Sequence, residues 1–366
     1  MKNRFISALL ALFLLLSGVQ AIPRAFATQA DPGMNKYSYM FFGTFDTAIT
    51  LIGFAESQEV FNNLTLEAEA MFNVLHRQFN QYYPYEGLNN LYYLNRNAAV
   101  APVTVPRELF DLITWCKVHQ SETRGQVNIA LGAVLALWHD ERENAELEPD
   151  QAKLPDAATL KEAKSHTSMD DVVLDEQNLT VFYSDPMLQL DVGAVAKGYA
   201  AELVAQMLLG SDMPSFIINA GGNVRTGHPP LDGRSSWGIG IQDPDSALVL
   251  PGGNDIVEVL YLSNLSLVTS GDYQRYYIVD GKRYHHLISP DTLMPADYMR
   301  SITIITEDSG FADLLSTAVF LMPFEEGFQF VESLDGVEAL WILNDGTIKM
   351  TKGAEAVAQS KVASAK

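Results

Sequence analysis

The stretch Ser215-Phe216-Ile217-Ile218-Asn219-Ala220-Gly221-Gly222-Asn223-Val224-Arg225-Thr226-Gly227 decides the class of fold. An apolar run of strand type ends in paired glycines, which read as a turn after the strand. The spacing is not G-x-G-x-x-G and no helical pattern follows, which excludes a dinucleotide-binding Rossmann unit. Two readings of the glycines stay open: a plain hairpin, or a tight turn that brings backbone close to a ligand. Around this stretch, short strands alternate with turns. Strands are expected at 179–183, 215–219, 237–242, 257–262, 274–279, 283–288 and 301–306, with helices at 194–209 and 311–320. Asp280-Gly281 is a two-residue hairpin signal between two of the strands. Strands and helices mixed without regular strand-helix-strand alternation predict an α+β fold rather than a doubly wound one.

Upstream the elements lengthen. Residues 37–54 read as a strand pair or a strand bent at Gly43, and residues 58–78 place Leu64, Ala68, Met71, Leu75 and Phe79 on one helical face. After the aromatic turn around Tyr82, Tyr83 and Tyr85, Pro106 opens a helix over 107–121, and 128–138 reads as a buried helix. The run 139–164, crowded with Glu141, Glu143, Glu146, Glu148 and Asp150, reads as a solvated loop closed by a short helix over 156–164. At the start of the chain Lys2 and Arg4 precede an uncharged run over 5–19, followed by the small-x-small sites Val19-Gln20-Ala21 and Ala25-Phe26-Ala27. Residues 1–27 are therefore expected to be an export signal, an uncleaved anchor being the alternative. With no cysteine beside either site for lipid attachment, a soluble periplasmic product is expected. Residues 28–353 are expected to form the functional domain and 354–366 a polar tail.

Composition narrows the partners. The 366 residues are 48% apolar and 19% charged, enough for a large core or two lobes around a cleft. Lys and Arg total 24 against 45 Asp and Glu, a net charge of −21 with no basic cluster, which argues against nucleic acid as a partner. The single cysteine, Cys116, excludes an intramolecular disulfide and a cysteine-based zinc site.

Three further segments carry chemistry. Leu190-Asp191-Val192-Gly193-Ala194-Val195-Ala196-Lys197-Gly198-Tyr199 runs from a strand end into a helix. Its small residues let a ligand approach the backbone, and the free amides of the first turn with Lys197 suit a phosphate. An ordinary Asp-capped helix with a surface lysine fits the same residues. Asp313 and Thr317 stand four apart on one helical face, a hard oxygen pair suited to magnesium. A threonine bonded back to its own helix is the alternative. Thr269-Ser270-Gly271-Asp272-Tyr273 reads as a polar turn before a hairpin whose return strand carries His285 and His286. Strand alternation sends these histidines to opposite faces, so at most one meets a given cleft.

Taken in order, these segments resemble the FAD:protein FMN transferase family, also called ApbE. The resemblance runs from about residue 39 to 349, through Phe42-Gly43-Thr44, 91–95, Leu137-Trp138, 191–199, 219–223, 237–244, 269–273, 286–290 and 312–317. It implies a two-lobed α+β fold with antiparallel sheets and flanking helices, FAD in a cleft between the lobes and Mg2+ on its pyrophosphate. It further implies an enzyme that splits FAD, joins FMN by a phosphoester bond to a threonine or serine of a target flavoprotein, and releases AMP. The implied target is a subunit of a membrane redox complex or another exported FMN-binding domain. An FAD pyrophosphatase giving FMN and AMP, and a non-catalytic exported FAD-binding protein, are the alternatives.

By the same resemblance, Asp313 and Thr317 match metal-binding side chains, Ala194 a metal-binding carbonyl, and Lys197 a residue contacting FAD. Phe42, Asn80, Tyr82, Asn128, Asp191, Gly221, Gly222, Ser270 and His286 fall in segments expected around the flavin dinucleotide. A transferred phosphoryl group needs charge neutralisation, which magnesium and Lys197 supply, and its attacking hydroxyl needs a base, for which Asp272 and His286 are the candidates. Phe42 stands where the family usually has methionine, Asn80 where serine, Asn128 where aspartate and Leu293 where glycine. Tyr82, Tyr83 and Phe42 are the aromatic groups available to stack on the isoalloxazine ring.

Overall fold

The computed structural model describes residues 31, 33–245 and 255–360; the expected export signal lies outside them. In chain order the first half comprises β1 (Asn35–Thr44), β2 (Thr47–Ala55), α1 (Gln58–Phe79), α2 (Leu91–Asn97), β3 (Val103–Thr104), α3 (Arg107–His119), α4 (Gly132–Leu147), α5 (Ala157–Lys164), β4 (Val172–Asp175) and β5 (Thr180–Tyr183). There follow α6 (Ala196–Leu209), β6 (Phe216–Ala220), β7 (Asn223–Thr226), β8 (Trp237–Gln242), β9 (Ile256–Leu262), β10 (Ser266–Gly271), β11 (Tyr276–Val279), β12 (Lys282–His285), β13 (Ser301–Thr306), α7 (Ser309–Phe320), α8 (Phe324–Glu332), β14 (Glu338–Ile342), β15 (Ile348–Met350) and α9 (Lys352–Val357).

A sheet of eight strands in the order β1-β2-β6-β7-β10-β13-β14-β15 forms the frame, with every neighbouring pair antiparallel. Its side chains alternate between two cores. Val268, Ile302, Ile304, Ala339 and Trp341 pack with helix residues such as Phe72, Val204 and Leu315, whereas Leu267, Ile305, Leu340 and Ile342 face Ile239, Ile241 and Leu260 of the β8-β9 hairpin. β13 is buried at every position because both its faces are covered. The predicted α+β class is thus the observed one.

The quoted glycine stretch makes a two-residue hairpin. Ala220 pairs with Asn223 across Gly221 and Gly222, whose φ values of +61° and +95° suit the mirror-image turn that closes a twisted strand pair. The Asp280-Gly281 turn closes β11-β12 in the same way.

Four expectations are corrected. The acidic run is helical to Leu147, because Trp138 and Ala145, two turns apart, both face inward while Glu143 and Glu146 project into water. The buried stripe of α1 is turned toward Phe61 and Phe72, with Leu64 and Met71 only partly covered. Thr269, Ser270 and Gly271 are strand, not turn, paired with Thr303, Ile302 and Ser301. The tail expected from residue 354 starts inside packed structure, since Ala354 and Ala358 are buried in the core beneath β9 and β14.

A satellite core joins α4, α5 and the β11-β12 hairpin around Trp138, which lies 6.3 Å from Tyr277 and 6.2 Å from Tyr284 and donates its indole N–H to the Leu293 carbonyl. On the main core, α6 crosses α7 at Gly198. A Cβ there would stand 2.2 Å from the Ser309 carbonyl oxygen and 2.5 Å from Asp313 Cβ, so only glycine permits this approach. Gly198→Ala is expected to destabilise the fold by about 1–3 kcal/mol, read as a lower urea midpoint. Gly210→Ala, where the nearest atoms are 3.7 Å away, serves as the control and should leave the midpoint within about 0.5 kcal/mol.

Candidate active site

A cleft opens between the helical face of the main sheet and the satellite core. Ala194 and Lys197 enter it from the start of α6, Asp313 and Thr317 from α7, Gly221 from the glycine hairpin, Thr269 and Ser270 from β10, and His286 from the end of β12.

Asp313 is 4% exposed, and its Oδ2 accepts a hydrogen bond from Gly198 N at 2.9 Å while Lys197 Nζ lies 3.9 Å away. In a regular helix the Gly198 amide would donate to the Ala194 carbonyl. Given instead to Asp313, it leaves the Ala194 oxygen free of that bond at the cavity wall. A carboxylate, a threonine hydroxyl and a backbone carbonyl are hard oxygen donors, and they fit a magnesium ion that takes its remaining ligands from water and phosphate. Among the described residues no group of three or more His, Cys, Asp or Glu side chains is arranged to cage a metal, so an ion here depends on this mixed set.

Behind these groups Ser316 Oγ donates to the Asp313 carbonyl and meets Ser270 Oγ at 2.9 Å. Ser270 must therefore supply the hydrogen between the two hydroxyls, tying β10 to α7.

His286 Nδ1 lies 3.2 Å from the Arg275 carbonyl oxygen, and its backbone amide donates to the same oxygen. A carbonyl only accepts, so Nδ1 carries the hydrogen and Nε2 keeps its lone pair. Burial, helped by the charges of Arg275 and Arg142, holds the imidazole well below the usual histidine range. His285 faces the other way: it bonds the Ala296 carbonyl at 2.7 Å and packs edge-on against Phe320, as strand alternation requires. Asp191 ties the entrance of α6 to the aromatic loop, accepting from Gly193 N at 2.7 Å and Gln81 Nε2 at 2.6 Å. Tyr82 stacks on His139 at 4.4 Å.

Several expected residues sit elsewhere. Phe42 is 51% exposed on β1 and lines no part of the cavity, because it alternates with the buried Phe41 and so faces outward. Asp272 does not reach the wall either: Arg300 holds it at 2.9 Å and Arg283 at 3.6 Å, so its carboxylate is committed to an ion-pair network. Asn80 lies outside the large cavity and caps the loop by accepting from Tyr82 N and Tyr83 N. Asn128 is on the wall, but its amide group is taken by the Thr167 carbonyl and Ala130 N. Gly222 supports the turn without lining the cavity, and Tyr83 projects outward at 65% exposure. Arg142 and Arg275, not singled out from sequence, are on the wall. Arg142 would have been found by continuing the helix past Trp138, since Leu135, Trp138, His139 and Arg142 share one face.

A model of the ApbE family matches residues 45–341. A FAD:protein FMN transferase of Treponema pallidum is 33% identical over 273 residues, covering 71% of this chain and 72% of that protein. One of Klebsiella pneumoniae is 31% identical over 256 residues, covering 70% and 75%. The crystal structure of an ApbE protein from Thermotoga maritima superposes with a TM-score of 0.75 at 28% identity, over 88% of this chain and 99% of that one. A family model spanning most of the chain, with relatives this similar over more than two thirds of it, settles membership: the chain belongs to the ApbE family and is an enzyme of the transferase class.

Proposed function

We propose that this chain is a magnesium-dependent FAD:protein FMN transferase, which splits FAD at its pyrophosphate, passes FMN to a threonine or serine hydroxyl of a target flavoprotein and releases AMP. The observation that carries the reading is the convergence of Asp313, Thr317, Ala194, Lys197 and His286 on one cavity wall. The names of its relatives supply the substrate and the acceptor class.

Asp313, Thr317 and the Ala194 carbonyl would hold magnesium, which when bound draws negative charge off the phosphates. Lys197 adds a full positive charge beside the same oxygens. Gly193 and Ala194 leave the backbone open to a phosphate at the start of α6. The neutral Nε2 of His286 takes the proton of the attacking hydroxyl as its oxygen bonds to phosphorus and the bond to AMP breaks. Asp272 is not proposed as the base, its carboxylate being held by two arginines. We also propose export directed by residues 1–27, with a subunit of a membrane redox complex or another exported FMN-binding domain as the target. Among the described residues no helix is long and apolar enough to cross a membrane.

Asp313→Ala should cut transfer by more than about 100-fold while circular dichroism stays unchanged, with labelling read as flavin fluorescence on the denatured target. Full activity of the variant at saturating magnesium would sink the assignment. AMP release without labelling in the unsubstituted protein would instead mark a pyrophosphatase.

His286→Gln should lower kcat by about 10²–10⁴-fold. Because the base works deprotonated and its pKa is depressed, transfer by the unsubstituted protein should persist as pH falls through 6.5 and be lost only below it. A kcat/KM profile already falling above that pH would refute the role.

A further inference from the structure

A second, smaller cavity adjoins the first and shares Tyr82, Gly193, Lys197 and Arg275 with it. Its own wall is of a different kind: Phe45 and Asp46 from the β1-β2 turn, His76 and Phe79 from α1, and Asn80 and Gln81 from the loop that follows. His76 Nδ1 accepts from Phe45 N at 3.1 Å, and burial holds this imidazole below the usual range, so it is neutral and tautomerically fixed. The wall thus combines aromatic surface, uncharged amides, the neutral His76 imidazole and one acid, with no cation beyond the two shared ones.

We propose that this smaller cavity is the acceptor port, through which a polypeptide segment bearing the target hydroxyl reaches the phosphoryl group. The inference rests on the flavin-transfer reading. A group-transfer enzyme must bring two substrates to one point from different directions, and the magnesium-type oxygen donors Asp313 and Thr317 line the large cavity alone. That leaves the dinucleotide on their side and the shared wall as the meeting point. Two cations stand there: Lys197, and Arg275, which no carboxylate among the described residues pairs within ion-pair distance. In a chain of net charge −21, an arginine without an acid between two cavities suits a phosphate in transit. Asn80 Nδ2 and Gln81 Oε1, the amide atoms not used within the loop, and the rings of Phe45 and Phe79 suit peptide backbone and small apolar side chains rather than a second nucleotide phosphate.

The protein provides its own probe. Cys116 is buried and burial pushes its thiol well up, so Asp46→Cys introduces the one accessible thiol at an exposed turn position on the port wall. The acceptor used is an apo FMN-binding domain that the unsubstituted protein labels on threonine. The unmodified variant's own KM for the domain is the reference; after reaction with a bulky maleimide that KM should rise at least about tenfold, while Kd for FAD, read by flavin fluorescence, should stay within about twofold. Asp46→Lys, which needs no reagent, should shift the same KM in the same direction. A parallel loss of FAD affinity would make the cavity part of the dinucleotide site, and an unchanged KM in the modified protein would place the acceptor elsewhere. Either result overturns the port. If FAD is cleaved but no domain is labelled even by the unsubstituted protein, it is the transfer reading that fails, and the port with it.

Discussion

The close approach of α6 and α7 is the constraint on which the site depends. With no side chain at Gly198, the two helices come near enough for its amide to reach Asp313, and that bond both fixes the carboxylate and withholds the amide from the Ala194 carbonyl. One turn along, Glu202 accepts from Ser309 N and from Arg225 Nε. The four-residue step from Gly198 to Glu202 is matched by the reverse step from Asp313 to Ser309, so two clamps fix the antiparallel register of the pair. The Glu202–Arg225 pair is buried, and losing either partner would leave a charge uncompensated away from water. Its contribution here is to hold the register rather than to add net stability.

Charge is distributed against the average of the chain. The surface is strongly acidic, yet Lys197, Arg142 and Arg275 gather on the cavity wall. This local excess favours an anionic dinucleotide, and the same arginines, with burial, keep His286 neutral. In the proposed reaction one cluster of cations serves both attraction of FAD and availability of the base.

Much of this was legible in the sequence, and the failures have physical causes. The hairpins at Gly221-Gly222 and Asp280-Gly281 could be read because a two-residue turn with positive φ demands particular residues. Asp313 and Thr317 could be paired because four residues make about one turn of helix. Continuation of α4 was hidden because acidic residues suggest solvent, although a helix needs only one buried stripe; Arg142 went with it. Asp272 read as a plausible base because its partners, Arg283 and Arg300, are brought beside it by two other strand regions. Phe42, placed near the flavin by resemblance alone, alternates outward from the buried Phe41 on an edge strand. Residues whose role is set by their own turn or helix face could be found, whereas those set by a distant partner could not.

The register of α6 against α7 also determines how the two cavities relate. Lys197 directly precedes Gly198, so the contact that fixes Asp313 places the lysine where the cavities meet. Moving α6 by one residue would rotate its side chains by about 100°, turning Lys197 from that junction and replacing the glycine at the crossing with a side chain. The proposed metal donors, the charge beside them and the junction of the two cavities are therefore not separable features that the fold happens to collect. They follow from a single helix crossing, and the absence of one Cβ permits all of them together.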